Sequence, residues 1–208
     1  SSKNFYSGNL GNGAQSLRHG EWTRLEASMI APSATVASKD FNSGTKVALA
    51  SNGLNVLNLS YGMYASSQYS LSQIGWSAQE TSIIDYAQNG KAVISKAAGN
   101  DAIVIGSANA SGQVDYLNLA LKGAQSAIYV GALNTIVTTS APASLASYSN
   151  TPGADAVVQQ QFVVVGVDGA KTGLYGTSFA APIISGYAAI LGSKFTKSTP
   201  TQIANQLL

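Results

Sequence analysis

Tyr175-Gly176-Thr177-Ser178-Phe179-Ala180-Ala181-Pro182 is the stretch whose reading decides the fold. Gly176 permits a tight backbone approach. From Ser178 the apolar spacing turns helical: Phe179, Pro182, Ile183, Gly186, Tyr187 and Ile190 recur every three or four residues. A serine at the start of such a helix feels the positive end of its dipole, which favours an anionic centre beside it. The small residues Ala180, Ala181, Ser185 and Gly186 let the helix pack deep in a core. The same residues read equally well as an N-cap serine on a buried helix.

Working outward, short β-type runs alternate with helical spacing. Strands are predicted at Thr35–Phe41, Val56–Ser60, Ala92–Ala97, Ala127–Gly131 and Phe162–Val165. Helices are predicted over 22–30, 44–52, 72–88 and from Ser178 onward, with a last one over 200–208 started by Ser198-Thr199-Pro200. Residues 1–18 read as loop and 134–160 as turn-rich. This alternation implies an α/β fold with a mostly parallel central sheet and helices on its faces, its chemistry at the carboxyl ends of the strands.

Composition narrows the function. With 208 residues and 45% apolar content the chain can build a sizeable core. Charged residues make up only 10% and the net charge is +2. Lys and Arg stand singly, which argues against a nucleic-acid partner. The absence of cysteine excludes disulfides, thiolate zinc sites and a cysteine nucleophile. No apolar run has the length of a membrane span. Ser1–Phe5 lacks the pattern of a signal peptide.

His19 is the only histidine, so a site of several histidines is excluded. No cofactor is implied. A carboxylate-only Ca²⁺ site stays open, although no D-x-D-x-D-G loop is present. Gly176-Thr-Ser-Phe-Ala180 nearly matches a nucleophile elbow, but that elbow needs its histidine after the serine, and His19 lies far before it. Gly169-Ala170-Lys171-Thr172 has alanine where a phosphate loop needs glycine, and the glycines at 8, 11 and 13 follow no strand.

Five segments together resemble the subtilase family of subtilisin-like serine peptidases. They are His19-Gly20 with Ile30-Ala-Pro32, Asn58-Leu-Ser-Tyr-Gly62, Ala97-Ala-Gly-Asn100, Ile128-Tyr-Val-Gly-Ala132 and Gly176-Thr-Ser-Phe-Ala-Ala-Pro182. The resemblance runs from about residue 18 to the end and implies the three-layer subtilisin-like fold. It also implies roles. Ser178 is the expected nucleophile, His19 the general base and acid, and Asn100 a donor to the oxyanion beside the Ser178 backbone N–H. Ser60, Tyr61 and Gly62 are expected to pair with an extended polypeptide substrate. Ala97, Ala98 and Gly99 are expected to wall the pocket for the P1 side chain, leaving room for a large apolar one. Taken singly, Asn100 reads as a turn residue and Ser60–Gly62 as a strand end.

The pattern breaks at the third catalytic member. The resemblance implies an aspartate on an earlier strand, and no Asp or Glu precedes His19. Glu21 stands two positions beyond His19, on another side of a helix. Asp40, Asp85, Asp101, Asp115, Asp155 and Asp168 map elsewhere. Arg24 and Glu26 interrupt a helix the family fills with small apolar residues, and Trp22 replaces a common histidine. The chain is therefore expected to be an incomplete peptidase domain over 1–208, lacking the aspartate strand and the C-terminal end. Cleavage with retention of the strand, truncation, and a degenerate subtilase each explain the gap. Loss of a central strand would expose unpaired edges, so a bound second fragment of the same precursor is the expectation. The alternative is a peptide-binding pseudoenzyme, and an esterase or transferase is a third reading. An inhibitory propeptide and a secreted or bacterial cell-surface location, as in autotransporter passengers, are implied by the resemblance.

Overall fold

The computed structural model describes residues 15–135, 140, 142–167 and 174–208, and of residues 15–18 the backbone alone. Asp168, the residues 169–172 and the glycines at 8, 11 and 13 lie outside the described residues.

Four strands form one parallel sheet: β1 (Val56–Leu59), β3 (Val93–Ala97), β5 (Ala127–Leu133) and β6 (Phe162–Gly166), in the order β1-β3-β5-β6. A second, antiparallel pair joins β2 (Tyr64–Ser66) to β4 (Gln113–Asp115). The helices are α1 (Gln15–Ile30), α2 (Ala78–Gln88), α3 (Tyr116–Leu121), α4 (Ala156–Gln159), α5 (Ala181–Lys194) and α6 (Pro200–Leu207). Short 3₁₀ turns occupy Leu71–Gln73 and Thr177–Phe179.

The period of two along the central strands builds three layers. Val93 and Ala97 of β3, with Ile128, Val130 and Ala132 of β5, pack against Phe179, Ile184, Ala188 and Ile203 on one face. Ile94 and Tyr129 point to the other face, against Ile83, Tyr86, Leu117 and Leu121 of α2 and α3. β3 is buried at every position, Ser95 and Lys96 included, so no face of it is left to solvent.

Caps explain the helix limits. Ser77 accepts from the N–H groups of Gln79 and Glu80, so α2 starts at Ala78 rather than at 72. Thr199 and Gln202 form a capping box around Pro200 at the start of α6. Helix α1 begins at Gln15, earlier than the predicted 22.

Two predicted elements do not form. Thr35–Phe41 is irregular and mostly exposed. Among the described residues no strand lies beside it to accept its backbone bonds, and an unpaired segment of that length gains nothing by being extended. The stretch 44–52 is not helical. Val47 and Leu49 are half-buried and alternate with exposed Lys46, Ala48 and Ala50, so the true period is two. This extended chain is pinned by the Val47 N–H on Ser82 Oγ (3.0 Å) and by the Tyr86 hydroxyl on the Val47 carbonyl (2.7 Å). Elements α3, α4, β2 and β4 were not expected. Among the described residues β1 pairs with β3 alone, and no helix is long and apolar enough to cross a membrane.

Candidate active site

The carboxyl ends of β1 and β3 run into Ser60-Tyr61-Gly62 and Ala98-Gly99-Asn100, and the Thr177–Phe179 turn lies against both. The contact between Ser178 and Ser60 is reciprocal. The Ser178 hydroxyl donates to the Ser60 carbonyl at 3.2 Å, and the Ser60 hydroxyl donates to the Ser178 carbonyl at 2.7 Å. Behind them a relay runs into the core. Asn58 Nδ2 donates to Ser60 Oγ at 2.9 Å, and Ser185 Oγ on α5 donates to Asn58 Oδ1 at 3.2 Å. The serine turn is thus tied to both β1 and the helix that follows it.

Asn100 is held by its acceptor end. Its Oδ1 takes hydrogen bonds from the Thr177 backbone N–H (2.8 Å) and from Thr177 Oγ1 (3.0 Å). Thr177 Oγ1 in turn accepts from the Gly99 N–H at 3.1 Å. This fixes the amide plane and leaves the Nδ2 hydrogens as the donor end. Gly176, with φ 127 and ψ 151, sits in backbone space reserved for glycine. An added Cβ there would come within 3.3 Å of Asn100 Nδ2.

His19, on α1, is half-buried, and its ring lies 5.4 Å from that of Phe179, next to Ser178. Burial lowers its pKa below the ordinary 6.5 and favours neutral imidazole. On the same helix Glu26 is pushed up to about 8 by burial, and its Oε2 is buried without a partner. Glu21 and Arg24 are exposed. Asp85, Asp115 and Asp155 form ion pairs with Lys91, Lys96 and Lys122. The Asp40 carboxylate accepts from the Asn42 N–H. Burial, with Asp115 and Asp101 adding to it, pushes the Tyr64 phenol up.

A cavity of about 130 Å³ opens between these segments. Tyr61, Gly62, Ala97, Gly99, Asn100 and Ser178 line it, together with Tyr64, Lys96, Asp101 and Thr177, which sequence reasoning did not single out. Ala98 does not line it: the alternation along β3 turns that side chain into the core on the α2 and α3 face, where it is fully buried. A larger cavity of about 390 Å³ beside α6 is lined by Phe195, Ser198, Gln202, Ile203, Asn205 and Gln206 and carries no titratable group. Among the described residues no three His, Cys, Asp or Glu side chains cluster as metal ligands.

Asn150 was also missed. It is buried, its Nδ2 donates to the Ala98 carbonyl at 3.1 Å, and its Oδ1 accepts from the N–H groups of Asp101 (3.0 Å) and Ile103 (3.2 Å). It shapes the loop that carries Asn100. No local pattern in the turn-rich stretch marks it, because its partners lie about fifty residues earlier in the chain.

The model of the subtilase family, Peptidase_S8, matches residues 13–208. The chain belongs to the subtilase family. Among solved structures, a lanthipeptide protease is similar at 18% identity with a TM-score of 0.52, over 89% of this chain and 65% of that one. That likeness supports the subtilisin-like α/β fold. Sphericase is 20% identical over 94% of this chain and 55% of its own, with a TM-score of 0.46. The protease domain of PatA is 22% identical over 72% of this chain and 49% of its own, also at 0.46. This subtilase chain spans about half the length of the first solved relatives it matches. No curated protein matches it.

Proposed function

We propose that this subtilase chain carries the nucleophile, base and oxyanion donor of a serine endopeptidase that acylates Ser178. The observation that carries the reading is the double anchoring of Asn100 Oδ1 by Thr177. A side chain fixed by its acceptor end presents a preorganised donor beside Ser178, which is what a developing oxyanion requires.

In this reading a peptide lies along Ser60–Gly62 with its P1 side chain in the cavity. The Ser178 hydroxyl rotates away from the Ser60 carbonyl and gives its proton to neutral His19 as Oγ attacks the P1 carbonyl carbon. Asn100 Nδ2 and the Ser178 backbone N–H receive the oxyanion. On collapse His19 protonates the leaving amine, and a water molecule repeats the sequence to release the acid. The carboxylate that orients His19 is assigned to a separate segment of the same precursor, held against the β1 edge. Without it turnover should fall by about 10⁴-fold. No cofactor takes part. An inhibitory propeptide and a secreted or bacterial cell-surface location belong to the same proposal.

The test is a fluorophosphonate probe on the folded protein, followed by peptide mapping. Labelling of Ser178, with peptide cleavage abolished in Ser178→Ala, is the expected result. Peptide binding without adduct or cleavage would overturn the peptidase reading in favour of a peptide-binding pseudoenzyme. Denaturing mass spectrometry of the same sample checks for the second polypeptide.

A further inference from the structure

Lys96 and Asp115 form an ion pair at 2.9 Å with side chains only 1% and 6% exposed. Burying two charges is costly, and an apolar pair of similar volume often serves stability as well. What this pair connects is therefore informative. The β1–β3 ladder ends at the pair Leu59 and Lys96. Beyond that point the two chains part and become opposite walls of the cavity. The Lys96 ammonium also donates to the Ala97 carbonyl, at 2.7 Å, on one wall. Asp115 Oδ1 accepts from the Met63 N–H, at 2.9 Å, on the other, and from the Leu117 N–H at 3.1 Å.

The fit against the carboxylate is tight. A Cβ added to Gly62 would stand 2.6 Å from Asp115 Oδ2 and 2.6 Å from the Tyr64 ring. The start of α3 adds two more ties, from the Tyr116 N–H to the Met63 carbonyl (2.9 Å) and from Asn118 Nδ2 to the Ala98 carbonyl (3.1 Å). The ion pair continues the work of the ladder where backbone pairing stops.

We propose that Lys96 and Asp115 are positioning residues that set the distance between the two cavity walls, and so the size of P1 side chain the cleft takes. The proposal rests on the peptidase reading above. A cavity of about 130 Å³ held at fixed width suits an intermediate side chain such as Leu or Gln. It is tight for an aromatic ring, since a cavity of roughly 150 Å³ is what benzene fills.

The experiment compares peptides that differ only at P1, carrying Leu or Phe, on the complete protein. The parent should favour Leu by about tenfold or more in kcat/KM. Lys96→Met leaves a buried carboxylate unpaired and can fail to fold, so the deciding variant is Lys96→Met with Asp115→Asn. That variant holds no charge at this buried pair and keeps an acceptor for the Met63 and Leu117 N–H groups. The Leu-to-Phe ratio should collapse toward unity in it. The ratio cancels any change in the fraction folded. Because Lys96 itself lines the cleft and Asp115 does not, Asp115→Asn alone must also lower the ratio, and an unchanged ratio in it overturns the proposal. A ratio unchanged within about twofold, or a parent that favours Phe, overturns the proposal. Binding of the same peptides to Ser178→Ala separates the two readings. P1-ranked binding without turnover in the parent refutes the chemistry but supports the pair. Equal binding of both peptides, or none, refutes the pair.

Discussion

Replacing Thr177 by valine removes one oxygen from a fully buried position and keeps the side-chain shape. Two hydrogen bonds disappear: the one from the Gly99 N–H, and the one to Asn100 Oδ1. The Thr177 backbone N–H still holds Asn100 Oδ1 at 2.8 Å. Each lost bond is worth about 1 kcal/mol, and the orphaned Gly99 donor brings the destabilisation to about 2–3 kcal/mol. The effect on chemistry has a ceiling. Deleting an oxyanion donor outright costs about 10²–10³ in kcat, a magnitude established for a subtilase donor rather than worked out from this structure. Asn100 keeps one of its two anchors, so a loss of about tenfold in kcat at little changed KM is expected. Urea unfolding gives the first quantity, and steady-state cleavage of a chromogenic peptide gives the second. A variant that loses stability while kcat stays within about twofold would show that Thr177 does not position Asn100. A variant that changes in neither respect would refute the hydrogen-bond argument itself.

Three further outcomes are expected. Gly176→Ala forces a side chain into backbone space at φ 127 and toward Asn100, so it should cost about 1–3 kcal/mol, read as a fall in thermal midpoint, together with a loss of peptidase activity. Glu26 has a folded pKa near 8 against 4.5, so the folded state binds the extra proton and stability should fall as pH rises from about 4.5 to about 8; Glu26→Met should flatten that dependence, and a parent whose stability is constant over this window in urea titrations would contradict the burial of this carboxyl. Burial depresses His19 below 6.5 in this chain, so an NMR titration of its imidazole should show a midpoint below that value, and a carboxylate supplied beside it should raise that midpoint; a midpoint at or above 6.5 in the chain alone would contradict the burial argument.

Much of the sheet was legible because parallel strands buried on both faces are rich in apolar residues, as β5 is throughout and β3 is at Val93, Ile94 and Ala97. The helix after Ser178 was legible because Phe179, Pro182, Ile183, Gly186, Tyr187 and Ile190 recur every three or four residues. The stretch 44–52 misled because Val47 and Leu49 fit a helical spacing loosely; only the backbone ties to Ser82 and Tyr86 reveal the extended course. Thr35–Phe41 carries strand-type residues, but pairing is a property of neighbours and not of the segment. The cavity walls were only partly legible. Lys96 sits in a strand where a cation is unexpected, and its partner at Asp115 lies 19 residues on. Thr177 lay in full view beside Ser178, yet its role depends on Asn100, which the fold delivers from 77 positions away.

That distance has a consequence for how the chain matures. The hydrogen bonds that shape the cleft join positions 77 and 118 residues apart. Such contacts form late, because the loops they close must be ordered first. A chain emerging from synthesis therefore holds its serine, its asparagine and the Ser60–Gly62 edge as separate pieces until the Thr177–Phe179 turn meets the ends of β1 and β3. Under the proposed peptidase reading, a chain in that state cannot cleave its unfolded neighbours.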